Sequence, residues 1–402
     1  MRAACLALAA LVVAGCGAGG AGSSGSGKPV NAVSATPPKS GCGSFTLPPL
    51  RDESGVLAKL PAQYRSNYRG LHVLPSRWST WKPSHPGPYK VQIVWGGLVN
   101  SFITDLQNDI KSGLEAGGAS VQVTNTADEI DTAAQIQLMQ AAIRRKPDLI
   151  VLLPLQPDAF TTSTAQAAAK GIPTISVINT IPSPYAISVD INSYLNTALT
   201  SSILVRSLKG KGSVLTVAGY PGTTPSEHGL AGIDAVLKNC PGMKKVGAVS
   251  GLFTNGPAKS AVTQFLATHP APVDMAVQVG GMGPGVLSGF KSVGRPMPAL
   301  GDVGASNGTL GYWLANKATF RGAAVGQSAK ATADGVVQVA TRMFAGHEPR
   351  VNTMIPPVAL ITSDNLNDWA KAGDDLNTPG VADGPAGFKL FPDKYLDPLF
   401  TD

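Results

Sequence analysis

Apolar residues follow two alternating patterns between Tyr89 and Asn179. Four short, almost continuous apolar runs have the length and composition of β-strands, and they lie at residues 91–95, 119–123, 149–153 and 174–178. Between the runs, apolar residues recur every three or four positions, as on one face of a helix; the first such stripe is Ile103, Leu106, Ile110 and Leu114. Because strand and helix alternate, the pattern predicts a parallel, doubly wound α/β sheet.

Residues that begin and end helices punctuate this stretch. Gly117 and Gly118 end the first predicted helix. Asp131 is the expected N-cap of the second, which Pro147 ends after a basic last turn. Open α/β sheets bind ligands at the carboxyl ends of their strands, so we expect function in the polar and aromatic loops that follow the strands, at residues 95–102, 154–158 and 179–180.

The same alternation continues after Asn179 in a second block. Its predicted strands lie at residues 186–189, 212–219, 246–249, 275–279 and 297–301. Helical stretches lie between them, at residues 194–208, 231–238 and 257–267. Two such blocks predict two Rossmann-like lobes, and a cleft between lobes is the usual place for a ligand.

The N-terminus has the features of an export signal. Arg2 supplies a positive charge and residues 6–13 an apolar core that is too short to span a bilayer. The run Val13-Ala14-Gly15-Cys16 resembles the bacterial lipobox, so residues 1–15 are the expected signal peptide and Cys16 the expected lipidation site. Two alternatives remain open, which are ordinary cleavage nearby and a retained anchor.

Two segments separate the signal from the first block. Residues 16–44 are rich in Gly, Ser, Ala and Pro and predict a flexible tether that cannot bury enough apolar surface to fold. Residues 45–88 show no sustained periodicity and predict an ordered extension packed on the body. We interpret its aromatic side chains as packing anchors rather than ligand contacts, namely Tyr64, Tyr68, Trp78 and Trp81.

Cysteine usage agrees with export. After removal of the signal and lipidation of Cys16, Cys42 and Cys240 remain. In an oxidising compartment these two either form a disulfide or stay as free thiols that never meet. Neither cysteine has the spacing of a metal site, so we expect no metal.

Composition and motifs exclude several classes of function. The formal net charge is +7, yet only 14% of residues are charged and no long basic run appears, which argues against nucleic-acid binding. The five histidines lie outside any His-Glu-x-x-His context, and no Gly-x-Ser-x-Gly elbow is present. The Gly-rich run 281–285 is neither a phosphate loop nor a dinucleotide fingerprint. We therefore expect neither an enzyme nor a cofactor.

Several short motifs occur in the order typical of one family. They are Asn100-Ser101-Phe102, residues 146–154, the Gly-Ile-Pro passage at 169–175, Gly222-Thr223-Thr224 with Gly232, and Ala324 to Gln327. In these motifs the chain resembles a type I periplasmic binding protein of the ribose-binding, sugar-binding branch, a lipoprotein component of bacterial ABC transporters. The resemblance covers roughly residues 89–355.

The resemblance implies two lobes joined by three hinge crossovers. The first lobe would comprise residues 89–180 and 327–355, and the second residues 190–326 and 356–402. The crossovers would lie near residues 179–190, near Gln327 and near residues 355–357. A ligand would close the cleft by hinge rotation, and the closed form would dock on an ABC permease with its ATPase.

Some ligand contacts can be carried over from the family. Asn100 and Phe102 match positions that hydrogen-bond a hydroxyl and cover the apolar face of a sugar. Gln327 matches a hinge amide that contacts the ligand. Asp190 fits a hinge or cleft position with a structural role, and Asp302 falls one place from an acidic ligand residue.

The chain also departs from the family pattern. Asn179 stands where sugar binders place Asp-Arg, and His228 lies where a second-lobe Arg is usual. Glycines at 280, 281 and 283 replace an Asn-Asp pair. Bidentate clamps on adjacent hydroxyls are therefore lost, which predicts a less charged pocket. Its candidate lining residues, for which ordinary packing is the alternative, are Trp95, Tyr220, His228 and Met282.

These observations predict an extracytoplasmic solute-binding protein, monomeric and lipid-anchored to the bacterial cell membrane. Its ligand would be a small molecule, with a sugar or polyol favoured, and its partner an ABC importer. The alternatives are a binding protein that presents its ligand to a chemoreceptor or sensor kinase, and the same transport role with a non-sugar ligand.

Overall fold

The computed structural model describes residues 35–127 and 131–401. The predicted signal peptide and Cys16 lie outside these residues. The first elements are short: β1 (Arg51–Asp52), α1 (Ala62–Arg65), β2 (His72–Val73), and the 3-10 helices Val56–Lys59 and Ser66–Tyr68.

The first alternating block follows the predicted order of strands and helices. Its elements are β3 (Lys90–Trp95), α2 (Ser101–Ala116), β4 (Ser120–Asn125), α3 (Thr132–Arg145), β5 (Leu149–Leu152), α4 (Thr161–Ala168), β6 (Thr174–Val177) and β7 (Ala186–Val189). The predicted stripe of α2 is buried, and the side chain of Asp131 caps α3 by accepting a hydrogen bond from the amide of Ala134 at 2.8 Å. Both predictions are confirmed.

The second block repeats the pattern. Its elements are α5 (Ser193–Ser207), β8 (Gly212–Ala218), α6 (Thr224–Lys238), β9 (Met243–Ser250), α7 (Asn255–Thr268), β10 (Met275–Gln278), α8 (Gly283–Ser292), β11 (Ala299–Gly304), α9 (Asn307–Ala315) and β12 (Gly322–Gly326). The chain then returns through α10 (Ala329–Phe344), β13 (Thr353–Met354), β14 (Leu360–Ile361), α11 (Leu366–Trp369) and α12 (Asp393–Leu396). Within the described residues, no helix is long and apolar enough to cross a bilayer.

Twelve of the described strands form two six-stranded sheets, and β1 pairs with β2 in a small separate sheet. The first has the order β13-β7-β6-β5-β3-β4 and is parallel throughout. The second has the order β14-β12-β11-β10-β8-β9 and is parallel except for β14. Apolar side chains bury both faces of the central strands, as continuous apolar runs require. We call the units built on these sheets the first and second lobes.

The chain passes from the second lobe to the first before the extension and again before residue 390. Three further crossovers join the two sheets. They lie at residues 190–192, 327–328 and 355–359, between elements of opposite sheets. One assignment from the sequence is wrong, because β7 belongs to the first sheet and not to the second block. Its residues pair in register with β6, for example Ser188 with Ser176, and β13 pairs on its other side.

The extension and the C-terminal tail both pack on the first lobe. In the extension, Tyr64, Tyr68 and Trp78 are buried in the first-lobe core, as expected for packing anchors. Residues 390–400 enter the same core, whereas the sequence placed them with the second lobe. The reason is an aromatic contact, since the rings of Tyr64 and Tyr395 meet edge to face at 5.3 Å.

A disulfide attaches the start of the described chain to the second lobe. Cys42 and Cys240 are bonded, which is one of the two alternatives that the sequence left open. The neighbouring main chain is also held, because Ser202 Oγ donates to Gly43 O at 2.6 Å and Asn239 Nδ2 donates to Ser44 O at 3.1 Å. Residues 42–44 are therefore anchored, and the predicted free tether to Ser44 is too long.

Candidate ligand-binding site

The carboxyl ends of the two sheets meet across the cleft. Asn100 follows β3 in the first lobe, and Phe253 follows β9 in the second. The side-chain Nδ2 of Asn100 donates a hydrogen bond to the main-chain oxygen of Phe253 at 3.0 Å. Because both residues lie in loops at strand ends, this contact locates the region where an open α/β sheet binds ligands.

Asn100 has a second role in the first lobe. It is the N-cap of α2, and its Oδ1 accepts a hydrogen bond from the amide of Ile103 at 3.0 Å. An Asn cap satisfies an amide that the helix itself leaves unpaired. The capping hydrogen bond fixes the orientation of the Asn100 side chain, which directs Nδ2 toward the second lobe.

Phe253 is a cleft residue that the sequence analysis missed. Its backbone and that of Leu252 are both left-handed, each with φ of 53°, which is unfavourable for residues with a side chain. Its ring lies over Gly219, where an added Cβ would come within 2.0 Å of Cζ. The available signal was an aromatic residue just after a strand, whereas Phe102 was named from its match to a family motif.

Trp95 ends β3 and Asn179 follows β6, two strands of the first sheet that are separated by β5, and both residues carry unpaired polar atoms. Trp95 is fully buried, and its indole Nε1 has no hydrogen-bond partner among the described residues. Asn179 Nδ2 donates to Pro154 O at 2.8 Å, while its buried Oδ1 likewise lacks a partner in the described chain. Unpaired buried polar atoms are costly, and a ligand that bonds them would remove that cost.

The remaining first-lobe candidate, Phe102, is half-buried and packs against the first-lobe core. It stands in the first turn of α2, two residues after Asn100. It therefore lies at the amino end of α2, next to the loop that contains Asn100. This position suits a side chain that covers one face of a bound molecule.

Asp190 organises the first crossover. Its carboxylate accepts hydrogen bonds from the amide of Thr180 at 2.8 Å, the hydroxyl of Thr180 at 2.6 Å and the amide of Ile191 at 2.7 Å. Burial raises the pKa of Asp190, while these hydrogen bonds and the charge of His228 lower it. These contacts connect Asp190 to Thr180 and Ile191, and its role toward a ligand stays a prediction.

Gln327 occupies the second crossover. It is buried and borders a small hollow formed with Ile191 and Pro356 from the other two crossovers. The next residue, Ser328, caps α10 by accepting from the amide of Ala331 at 3.0 Å. Gln327 is thus held where all three connections run side by side.

The second-lobe candidates differ in their surroundings. Tyr220 is half-buried, and its ring centroid lies 6.2 Å from that of Phe253. His228 is exposed on α6 and close enough to Asp190 to affect the pKa of that carboxyl group. These two side chains approach the cleft from the second lobe.

Met282 and Asp302 are held inside the second lobe, in contrast to the expected cleft positions. Met282 is fully buried in the second-lobe core and faces Gly251. Asp302 is also buried and accepts hydrogen bonds from Gln278 Nε2 and, at 3.0 Å, from the amide of Ser306. Burial raises the pKa of Asp302 to about 6. Their neighbours are core groups and loop amides, so both residues stabilise the loops behind the cleft.

No metal centre accompanies this site. Across residues 35–127 and 131–401, no group of three or more His, Cys, Asp or Glu side chains could hold a metal ion. The cleft instead offers amides, an indole and aromatic rings. These are the groups that orient a neutral, hydroxyl-rich molecule.

The sequence is similar to that of a characterised protein. It is 26% identical over 213 residues to the xylitol-binding protein of Mycolicibacterium smegmatis, a match that covers 52% of this chain and 60% of that relative. The chain therefore matches less than two thirds of the relative's length.

Solved structures share the fold. An ABC transporter solute-binding protein from Thermobispora bispora superimposes with a TM-score of 0.63 at 22% identity, covering 70% of this chain and 87% of the other. A solute-binding protein from Bacillus halodurans with bound myo-inositol gives a TM-score of 0.63 at 18% identity, covering 71% and 98%.

One family matches most of the folded chain. A sequence profile described as a periplasmic binding protein domain matches residues 91–348, which is more than half of the chain. The matched stretch begins in β3 and ends after α10, so it contains most of both lobes and two of the crossovers. The chain belongs to the periplasmic binding protein family, with its two-lobed type I fold.

Proposed function

We propose that this protein captures a sugar or polyol outside the cytoplasm and delivers it to an ABC importer. The hydrogen bond from Asn100 to Phe253 O supports the proposal most directly, because it brings together the carboxyl-end loops of the two sheets, where α/β proteins bind ligands. A ligand that contacts both lobes favours the closed arrangement over the open one, and that difference couples binding to transport.

A neutral polyol fits the groups at the cleft. Asn100, Asn179 and Gln327 supply amides, and Phe102 and Phe253 supply apolar rings. No arginine follows the strands where sugar binders usually carry one, so the bidentate clamp for a pair of adjacent ring hydroxyls is missing. A flexible or small polyol can be held by single hydrogen bonds from separate side chains to its hydroxyl groups, without such a clamp. The name of the xylitol-binding relative supports the same ligand class.

The N-terminal sequence supports an anchored location. Cys16 is the proposed lipid attachment, and the disulfide between Cys42 and Cys240 suits an oxidising compartment outside the cytoplasm. The protein would act as a monomer beside its permease and ATPase. Catalysis is not part of the proposal, since the family is one of binding proteins.

Calorimetric titration tests the ligand class. The panel would contain xylitol, ribitol, myo-inositol, D-arabinose, D-ribose, an amino acid and an aromatic acid. We expect heat of binding with one or more polyols or sugars and none with the two acids. Binding only to an amino acid or an aromatic acid would contradict the sugar or polyol assignment.

Paired variants locate the binding site. Phe102→Ala and Phe253→Ala should each weaken binding by about 1 kcal/mol or more, because each removes an aromatic face. Phe265→Ala is the matched control, since Phe265 packs on α7 against Gly247 and away from the cleft. If the wild type and both cleft variants bind the ligand with equal affinity, these two rings do not contact the ligand.

A further inference from the structure

A row of exposed cations lies on the second lobe at the edge opposite the cleft. In a parallel α/β sheet, the chain segments that lead from helices into strands share one edge. Here the segments leading into β8, β9 and β12 share it. We call their cations the basic face, and they are Lys209, Lys211, Lys238, Lys244, Lys245 and Arg321.

The basic face has few carboxylates of its own. Within the described ranges, Lys245 is its only member in an ion pair, with Asp234 at 3.0 Å. The nearby Asp274 accepts hydrogen bonds from the amide of Ser213 at 2.8 Å and from its hydroxyl at 3.0 Å. At the corresponding end of the first lobe some cations are paired, as in Lys82 with Glu348 and Arg342 with Asp393, while others such as Lys90 and Lys170 are exposed and are in no ion pair within the described residues. The second lobe therefore presents a surplus of positive charge.

Helix dipoles explain only part of this surplus. Lys238 lies in the last turn of α6, where a cation is favourable. Lys211, Lys244 and Arg321 lie at the starts of strands β8, β9 and β12, where no helix dipole requires them. Since these strands span most of the second sheet, the charge covers a broad surface rather than one point.

A hollow opens at the same edge. Its volume is about 540 Å³, and its walls include Phe290, Phe320 and Pro296. Arg295 and Arg321 also line it, and Arg295 is held by the main-chain oxygens of His269 and Ala271. Asp274 lies in the same wall, so the hollow combines apolar side chains with two arginines and one carboxylate.

The N-terminal chain reaches the body at this face. Cys42 joins Cys240 beside Gly210, where an added Cβ would lie 3.0 Å from Cys42 Sγ. Gly210 lies between Lys209 and Lys211. If Cys16 carries the proposed lipid, the disulfide joins the chain that follows the lipid to the body at this face.

We propose that the basic face rests on an anionic phospholipid bilayer. The lipid anchor of the proposed function would keep this face near the bilayer, and the unpaired cations would hold it there by attraction to anionic headgroups. The cleft lies at the opposite edge of the second sheet and stays open to ligand. Membrane contact and ligand capture are therefore compatible.

Vesicle sedimentation tests the proposal without the anchor. The full chain carrying Cys16→Ser, which has no site for an acyl chain, is mixed with phosphatidylcholine vesicles or with vesicles containing 30% phosphatidylglycerol. We expect binding to the anionic vesicles that is lost in about 0.5 M salt, and little binding to the neutral ones. Equal binding to both vesicle types would overturn the proposal.

A charge-matched control separates this face from net charge. The test variant combines Lys211→Gln, Lys238→Gln and Lys244→Gln, and the control combines Lys59→Gln, Lys90→Gln and Lys170→Gln, exposed lysines of the extension and first lobe. Each lysine near an anionic bilayer contributes about fivefold to partitioning, so the test variant should bind on the order of 100-fold more weakly. The control should match the parent chain. Equal loss in both variants, or in neither, would contradict the proposal, whatever ligand the cleft binds.

Discussion

The side chain of Asn100 links the start of α2 to the second lobe through the main-chain oxygen of Phe253. The side-chain oxygen Oδ1 caps the helix, because it accepts a hydrogen bond from the main-chain amide of Ile103 at 3.0 Å. The side-chain nitrogen Nδ2 donates across the cleft to Phe253 O, also at 3.0 Å. A single side chain thus serves both the local fold and the closure of the lobes. The two functions can be separated, because they use different atoms.

Asn100→Asp should open the cleft without weakening α2. The carboxylate can still accept from Ile103, yet it cannot donate to Phe253 O and instead faces another oxygen. We expect a larger radius of gyration by small-angle scattering and an unchanged helix content. Asn100→Ala is the comparison, since it also removes the cap and should lower the free energy of unfolding by about 1 kcal/mol. Identical scattering of Asn100→Asp and wild type would contradict a role in closure.

Gly219→Ala should displace the ring of Phe253. The added methyl would lie 2.0 Å from Cζ, so the ring or the strand end must move. We expect ligand affinity to fall at least tenfold and stability to fall by about 1–3 kcal/mol, as in other overpacked sites. Titration calorimetry and thermal unfolding measure the two effects.

Gly256→Ala is the matched control for Gly219→Ala. Gly256 lies in α7 with no atom within 4 Å of an added Cβ. Alanine there should raise stability by about 0.5–1 kcal/mol and leave ligand affinity unchanged. If both alanines had the same effect on affinity, contact with Phe253 would not be the cause.

The sequence predicted the elements better than the surroundings of single side chains. The strands near 91–95 and 149–153 were predictable because buried parallel strands read as apolar runs. The cap at Asp131 was predictable because it acts within three residues. The burial of Met282 was not, since it depends on Gly251, which is distant in sequence. Phe253 was missed for the same reason, because its contacts with Gly219 and Asn100 are made only in the folded chain.

The tail shows a second limit of sequence analysis. Residues 390–400 follow the second lobe in the chain, so chain order alone assigned them there. Their apolar side chains pack with the extension, where the hydroxyls of Tyr68 and Tyr395 share a hydrogen bond. Both hydroxyls also accept from the amide of Ile355, at 3.1 and 2.8 Å, in the third crossover. No local pattern could predict this convergence, because three separate segments create it.

Removal of the disulfide should lower stability. Replacing Cys42 and Cys240 with serine frees a loop that spans 198 positions, which increases the entropy of the unfolded chain. We expect a loss of about 2–4 kcal/mol in the free energy of unfolding, measured in denaturant. Wild type treated with a reductant is the comparison and should approach the double variant. Equal stability of oxidised and reduced wild type would contradict a stabilising role.

Asp302 should make stability depend on pH. Burial raises its pKa from 3.8 to about 6, so the folded protein holds a proton that the unfolded chain has released. The stabilising effect of the protonated group is fully present below about pH 4 and is lost as the pH rises to about 6. The shift corresponds to about 3 kcal/mol over this range.

Asp302→Asn isolates this effect from the other carboxyl groups. The amide does not titrate, and any mismatch with the donors from Gln278 and Ser306 would cost the same at every pH. We therefore expect the stability of the variant relative to wild type to increase between about pH 4 and 6 and then to level off. Other buried carboxyls, such as Asp190, titrate in both proteins and cancel in the difference. A difference that stays constant with pH would show that Asp302 is ionised in the folded protein throughout this range.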